Sequence, residues 1–165
     1  MAHEDFFLKV DAEKGGAIKG EAQDSDHKDE IDVIDWSWGM SAPAAATGFT
    51  KARAAIHHLV VRKRVDSAST ALMKALSHHE TLKTAVLTAR RAGGTGKQQT
   101  FLKITLRNAY VTSFEVEGEG GTDGAGCVEQ VKLAFERITV DYTPQGADGQ
   151  SRGGMSFEDS WSPTA

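Results

Sequence analysis

The sequence predicts a mainly β fold, a barrel or sandwich of two packed sheets with one short α-helix on its side. Three observations predict it. Short runs of alternating apolar and polar residues recur along the chain, separated by turns rich in Gly, Asp and Ser. Only residues 68–77 carry apolar side chains firmly at helical spacing. The last long run, 128–142, shifts its apolar face midway from Val131, Leu133 and Phe135 to Ile138, Val140 and Tyr142. A strand does this when it bulges or passes from one sheet to another.

The first strand reads from Phe6, Leu8 and Val10, which share one side. Glu13-Lys14-Gly15-Gly16 is a turn, 18–21 a short return strand, and 23–30 a polar loop. Residues 31–40 form the next strand, and both of its alternating sets hold apolar residues. One set is Ile31, Val33, Asp35, Ser37 and Gly39; the other is Ile34, Trp36, Trp38 and Met40. A strand covered on one side shows a single apolar set. Two sets predict a strand shared by two cores, or by a core and a neighbouring subunit, which points toward an assembly protein. Residues 41–53, rich in Ala, Gly and Thr, read as an extended exposed excursion.

Residues 56–65 return to strand, with Leu59, Val61 and Val65 on one face. Asp66 to Ser69 supply capping residues for a helix over 68–77, buried through Ala68, Leu72, Ala75 and Leu76. A strand over 82–89 leads to a hairpin turn at 92–96. Two further strands, 101–107 and 110–116, are joined tightly through Asn108-Ala109, and a glycine-rich loop at 118–126 precedes the final strand. After Pro144 the composition predicts a loose tail. The expected organisation is one β domain over 1–149 and a flexible segment over 150–165.

A chain of 165 residues fits one domain able to bury a core without disulfides or metal. Hydrophobic residues at 39% and charged residues at 25% exclude wholesale disorder. A net charge of −4 argues against a phosphate-backbone binder, so no nucleic-acid partner is expected. The lone Cys127 cannot form an internal disulfide, which fits a reducing compartment. The first residues lack the basic head and apolar stretch of a secretory signal, and no window is apolar enough to span a membrane. The expectation is a cytoplasmic product that, if exported, leaves through a machine reading no cleaved signal.

Several motifs dissolve on inspection. Gly93-Gly94-Thr95-Gly96-Lys97 has Arg91 where a phosphate-binding loop needs its first Gly, and Gln98 where it needs Ser or Thr; it reads as a hairpin turn. His57-His58 and His78-His79 are adjacent pairs, and neighbouring strand residues face opposite ways, so the first pair cannot chelate one ion. The acidic run Asp24, Asp26, Asp29, Glu30, Asp32 is interrupted by His27 and Lys28, against a calcium loop. Cys127 has no base near it in sequence, and no GxSxG occurs. No catalytic residue, cofactor site or metal site is expected.

Ile18-Lys19-Gly20-Glu21, His27-Lys28-Asp29-Glu30-Ile31-Asp32-Val33 and Trp36-Ser37-Trp38-Gly39-Met40 resemble the signature of the haemolysin-coregulated protein (Hcp) family, tube proteins of the bacterial type VI secretion system. The likeness continues collinearly through Asp66…Leu72-Met73, Leu87 to Gly94, Phe101 to Leu106, Val131 to Phe135 and Val140 to Gln145. Residues 41–53 are Ala-rich where family members often carry a Gly-rich stretch.

The resemblance implies a two-sheet barrel with a flanking helix, similar also to phage tail-tube proteins. It implies hexameric rings that stack into a tube inside a contractile sheath. The partners would be further copies, the spike and sheath proteins, and effectors carried in the lumen. It places the protein in the cytoplasm before firing and outside the cell after it, with no membrane insertion. By the same analogy Ser37 faces the lumen, while Ser41, Pro43, Thr47, Phe49 and Lys51 lie on the excursion that would reach the next subunit or ring. A phage-derived tube protein and an effector-type member are the alternative readings.

Overall fold

The computed structural model describes residues 4–42, 54–94, 96–118, 120, 126–150 and 152–161. Its strands are β1 (Asp5–Ala12), β2 (Gly16–Ile18), β3 (Ile31–Val33), β4 (Asp35–Ser37), β5 (Met40–Ser41), β6 (Ala55–Ile56), β7 (Leu59–Arg64), β8 (Leu82–Ala92), β9 (Gln98–Gly118), β10 (Cys127–Tyr142) and β11 (Met155–Ser160). The helix α1 is Ser69–Ser77. The fold is mainly β, with a nine-stranded sheet, a two-stranded sheet of β5 and β6, and this one short helix.

The large sheet runs β2-β1-β8-β9-β10-β7-β4, every pairing antiparallel. Its two sides are joined through residues 31–37. β3 pairs with β1 (Phe6 opposite Val33), and β4 pairs with β7 (Trp36 opposite Val61). Between them the Ile34 N–H donates to Arg62 O at 2.8 Å. The chain thus leaves one side of the sheet and joins the other within a single residue, closing the barrel around its core.

That crossing corrects the reading of 31–40 as one two-faced strand. Ile31 and Val33 are buried in the core; past Ile34 the phase shifts, and Trp36 and Trp38 pack against the same core. Both apolar sets therefore serve one interior, each for half of the segment. Only Ile34 and Met40, at 37% and 42% exposure, stay outside it. The doubled apolar pattern is no evidence of a neighbour.

Four further expectations need correction. The return strand is Gly16–Ile18, because β2 pairs from Ala12 opposite Gly16 and ends at Val10 opposite Ile18. Residues 55–64 are two strands interrupted at His57-His58. The two strands expected on either side of Asn108 are one, β9, pairing with β10 on both sides of that residue (Arg107 opposite Arg137, Ala109 opposite Phe135). Asn108 adopts φ 50°, a left-handed conformation that Asn tolerates, which shifts the phase of the strand without reversing it. Its Nδ2 donates to Glu136 Oε2 at 3.1 Å, at the level where β10 also changes phase. Last, the segment after Pro144 carries β11, antiparallel to β10 with Phe157 opposite Val140.

The helix lies where the spacing predicts it, with Ala68, Leu72 and Ala75 buried. Its N-cap position is Ala68, which has no capping side chain. Asp66 does that work from two residues upstream, accepting the Ala68 N–H at 2.9 Å. At the far end of the barrel the 92–97 hairpin docks on the turn at 145–150. The Gly94 N–H donates to Gly149 O at 3.2 Å, and Gln145 Nε2 donates to Ala92 O and Gly149 O. Gly149 has φ 76°, and a Cβ there would stand 2.3 Å from Gly94 Cα, so neither the conformation nor the space admits a side chain.

Candidate assembly surfaces

Two buried charge clusters fix the barrel's shape. Lys63 and Glu129 face each other across β7 and β10, both fully buried, with Nζ 2.6 Å from Oε2. Lys63 Nζ also reaches Asp66 Oδ1 at 2.8 Å, Arg64 O at 2.9 Å and Ser69 Oγ at 3.2 Å. One cation thereby ties two strands to the start of α1. Glu129 Oε1 is buried without a partner among the described residues.

Arg90, 4% exposed, is gripped by Asp24 through contacts of 2.7 and 3.1 Å and by Asp5 at 3.4 Å. Its guanidinium lies 4.7 Å from the Phe7 ring centroid, and the His27 ring stacks on Phe7 at 4.5 Å. His27 Nδ1 shares a hydrogen bond with Glu30 Oε2. The acidic run is thus fastened to the barrel. The Arg90 hydrogen bond, helped by the Asp26 N–H, holds the Asp24 carboxyl below the usual value.

These clusters were absent from the sequence reading, yet a signal existed. Lys63 falls on the alternation of Leu59 and Val61, and Glu129 on that of Val131 and Leu133. Opposite charges in two apolar registers are what a buried cross-strand pair looks like.

Ser37 is exposed on the outer face of β4, opposite Val60. The register extends its row through Lys132 to Ser113. The adjacent row holds Asp35, Arg62, Gln130 and Glu115, with Asp35 and Arg62 ion-paired at 2.6 Å and about half exposed. Ser37 is the exposed member of its row, Val60, Lys132 and Ser113 being half-buried, and the face is mixed in charge.

Of the excursion residues, Ser41 is exposed on β5, and its Oγ hydrogen-bonds His57 Nε2 at 3.0 Å. Pro43, Thr47, Phe49 and Lys51 lie outside the described residues. The stem of the excursion is the two-residue ladder of Met40 with Ile56 and Ser41 with Ala55. His58 bonds Thr112 Oγ1 at 3.1 Å, so the two histidines brace different elements. Ser41 and His57 resemble a nucleophile–base pair, but among the described residues no carboxylate bonds His57 to orient it. Nor does any group of three or more His, Cys, Asp or Glu among them stand close enough to hold a metal.

The third surface is β11. All six of its residues are exposed, Met155 at 67% and Phe157 at 41%. Tyr142 lies opposite Met155, so these three extend the apolar inner face of β10 beyond the barrel. Trp161 anchors the end of the strand, its ring packing edge-on to Phe135 at 6.3 Å and its backbone N–H donating to Glu136 O.

Known proteins share this architecture. The family described as "Type VI secretion system effector, Hcp" matches residues 7–142. Protein hcp1 of Pseudomonas aeruginosa is 39% identical over 153 residues, covering 91% of this chain and 90% of its own. Hcp1 from Salmonella typhimurium superposes with a TM-score of 0.77 at 26% identity, over 98% of this chain and 96% of that one. Hcp1 from E. coli EAEC 042, a variant carrying two tryptophan substitutions, shares the fold with a TM-score of 0.79 at 23% identity, over 95% and 98%. With a profile match across most of the barrel and close identity to a full-length relative, the chain belongs to the Hcp family of type VI secretion proteins.

Proposed function

We propose that this protein is the repeating subunit of a type VI secretion tube. Copies close head-to-tail into hexameric rings, and rings stack into a tube that a contracting sheath expels from the cytoplasm out of the cell. Effectors ride in the ring's lumen, and spike and sheath proteins are the other partners. The observation that carries this reading is the 39% identity sustained over nine-tenths of both chains. Met155 and Phe157, exposed on the edge strand β11, are consistent with a subunit whose surface is completed by another. Light scattering and negative-stain imaging of the purified protein at high concentration test it: annular particles are expected, and a monomer at every concentration overturns it.

In the ring, Ser37 faces the lumen, where its small side chain leaves room for varied cargo. Support comes from the exposure of Ser37 on β4, beside the half-exposed Asp35–Arg62 ion pair. Ser37→Gln is expected to reduce co-purification of co-expressed effectors while leaving ring mass unchanged. Unchanged effector recovery with Ser37→Gln would discard the role.

A further inference from the structure

We propose that the kinked middle of the sheet is an oxyanion site: Lys83, Arg107 and Arg137 converge there on a phosphate-type dianion, free or carried as a monoester. The site stands or falls independently of the ring reading above.

Three observations carry it. First, the backbone builds a hollow. β8, β9 and β10 each interrupt their alternation at one level and turn two successive residues toward it: Lys83-Thr84, Arg107-Asn108 and Glu136-Arg137. Buried residues bracket them, Leu82 and Ala85 on β8, Leu106 and Ala109 on β9, and Ile138 beyond Arg137 on β10. The left-handed Asn108, at φ 50°, makes the kink in β9. The hollow measures about 510 Å³, within the range of about 300–1,000 Å³ usual for small-molecule sites.

Second, the register sets like charges side by side. Thr84, Arg107, Arg137 and Ser160 are consecutive partners from β8 to β11. Arginines directly opposite on neighbouring strands, with Cβ atoms about 4.5–5.5 Å apart, destabilise the pairing. Neither they nor Lys83 beside them form an ion pair among the described residues. An anion seated between them turns that repulsion into attraction.

Third, the surplus charge has the right size. The three cations share the hollow with a single carboxylate, Glu136, whose Oε2 already accepts from Asn108 Nδ2 at 3.1 Å. The excess of two positive charges matches a phosphate group near neutral pH. Asp11, at the end of the row, accepts from Thr84 Oγ1 at 3.4 Å and does not line the hollow. Guanidinium forks suit the oxygens of a phosphate bidentately. The chain's net charge of −4 opposes a nucleic-acid track, not one such group.

Equilibrium dialysis of the full chain against radiolabelled inorganic phosphate, at constant ionic strength, tests the site. One phosphate per subunit is expected, and Arg107→Gln and Arg137→Gln are each expected to bind at least about tenfold more weakly. Glu136→Gln leaves Asn108 an acceptor and removes the hollow's one negative charge, so binding is expected to tighten about threefold. Lys97→Gln, on the 92–97 hairpin, is expected to bind like wild type. Melting separates a ligand site from a structural role. Without phosphate, Arg107→Gln is expected to melt no lower than wild type, since it relieves the repulsion; phosphate in place of chloride is expected to raise the wild type alone. Glycerol 3-phosphate tells the two sources apart: stronger competition than unlabelled phosphate assigns a monoester, weaker competition the free ion. No saturable binding by wild type, undiminished binding in either arginine variant, or an equal loss in Lys97→Gln overturns the site. So does an Arg107→Gln variant that melts lower by the same amount with and without phosphate.

Discussion

Removing the charge of Lys63 is the sharpest probe of what holds the barrel to its helix. Lys63→Met keeps most of the apolar stem but strands Glu129 in the core without its cation, and Asp66 and Ser69 lose the group that gathers them. Breaking one side of a fully buried pair costs about 3–5 kcal/mol. For a chain of this length each kcal/mol lowers the melting temperature by about 2–4 °C, so a fall of about 6–20 °C is expected. Replacing both partners, Lys63→Met with Glu129→Leu, removes the buried charges together. Because Glu129 Oε1 has no partner among the described residues even in the native fold, little is forfeited by its loss. The double variant should recover to within about 1–2 kcal/mol of wild type, the remainder reflecting Asp66, which keeps the Ala68 N–H. Urea unfolding followed by circular dichroism checks this at one fixed protein concentration, since assembly adds stability by mass action. A Lys63→Met variant within about 1 kcal/mol of wild type, or a double variant no better than the single one, would refute the reasoning.

Two further outcomes follow from the geometry. The Asp24 carboxyl titrates below its unfolded value because Arg90 bonds it, so its contribution is present above about pH 4 and disappears as pH falls through the folded value. Asp24→Asn should therefore flatten the acid limb of a stability–pH curve. An unchanged limb would show that Arg90 does not select the charged form. Gly149→Ala forces a side chain at φ 76° against Gly94, with an expected loss of about 1–3 kcal/mol and faster amide exchange at Gly94. Native exchange at Gly94 would mean that the two turns are not held together by this contact.

Most of the strands, and the helix, were legible because their apolar residues alternate against a single covered face. The failures share a cause: alternation reports which side is buried, not which strand lies alongside. Asn108-Ala109 reads as a tight turn because Asn suits left-handed backbone in hairpins and bulges alike, and only pairing to β10 separates the two. In the Trp segment the polar residues change phase too, from Asp32 to Asp35 and Ser37, which marks a crossing rather than two buried faces. β11 gave no burial signal because all its residues are wet in the single chain. Of the site residues, Ser37 stands in the alternating set of Ile31 and Val33, which are buried, yet is itself exposed because the phase changes at Ile34; its row with Lys132 and Ser113 needed the register of three other strands.

The register also dictates an order of events during synthesis. β7 is complete by Arg64 and already has β4 beside residues 60–62, yet its partner along the whole of Leu59 to Arg64 is β10, which begins only at Cys127. Lys63 likewise waits for Glu129, its buried partner. β1 waits for β8, with Phe6 opposite Ala89. Nearly the whole barrel must therefore emerge from the ribosome before it can shut, and such long-range closures are slow. Translation speed, or a chaperone that shields β7 meanwhile, then bears on how much of the product closes into the barrel.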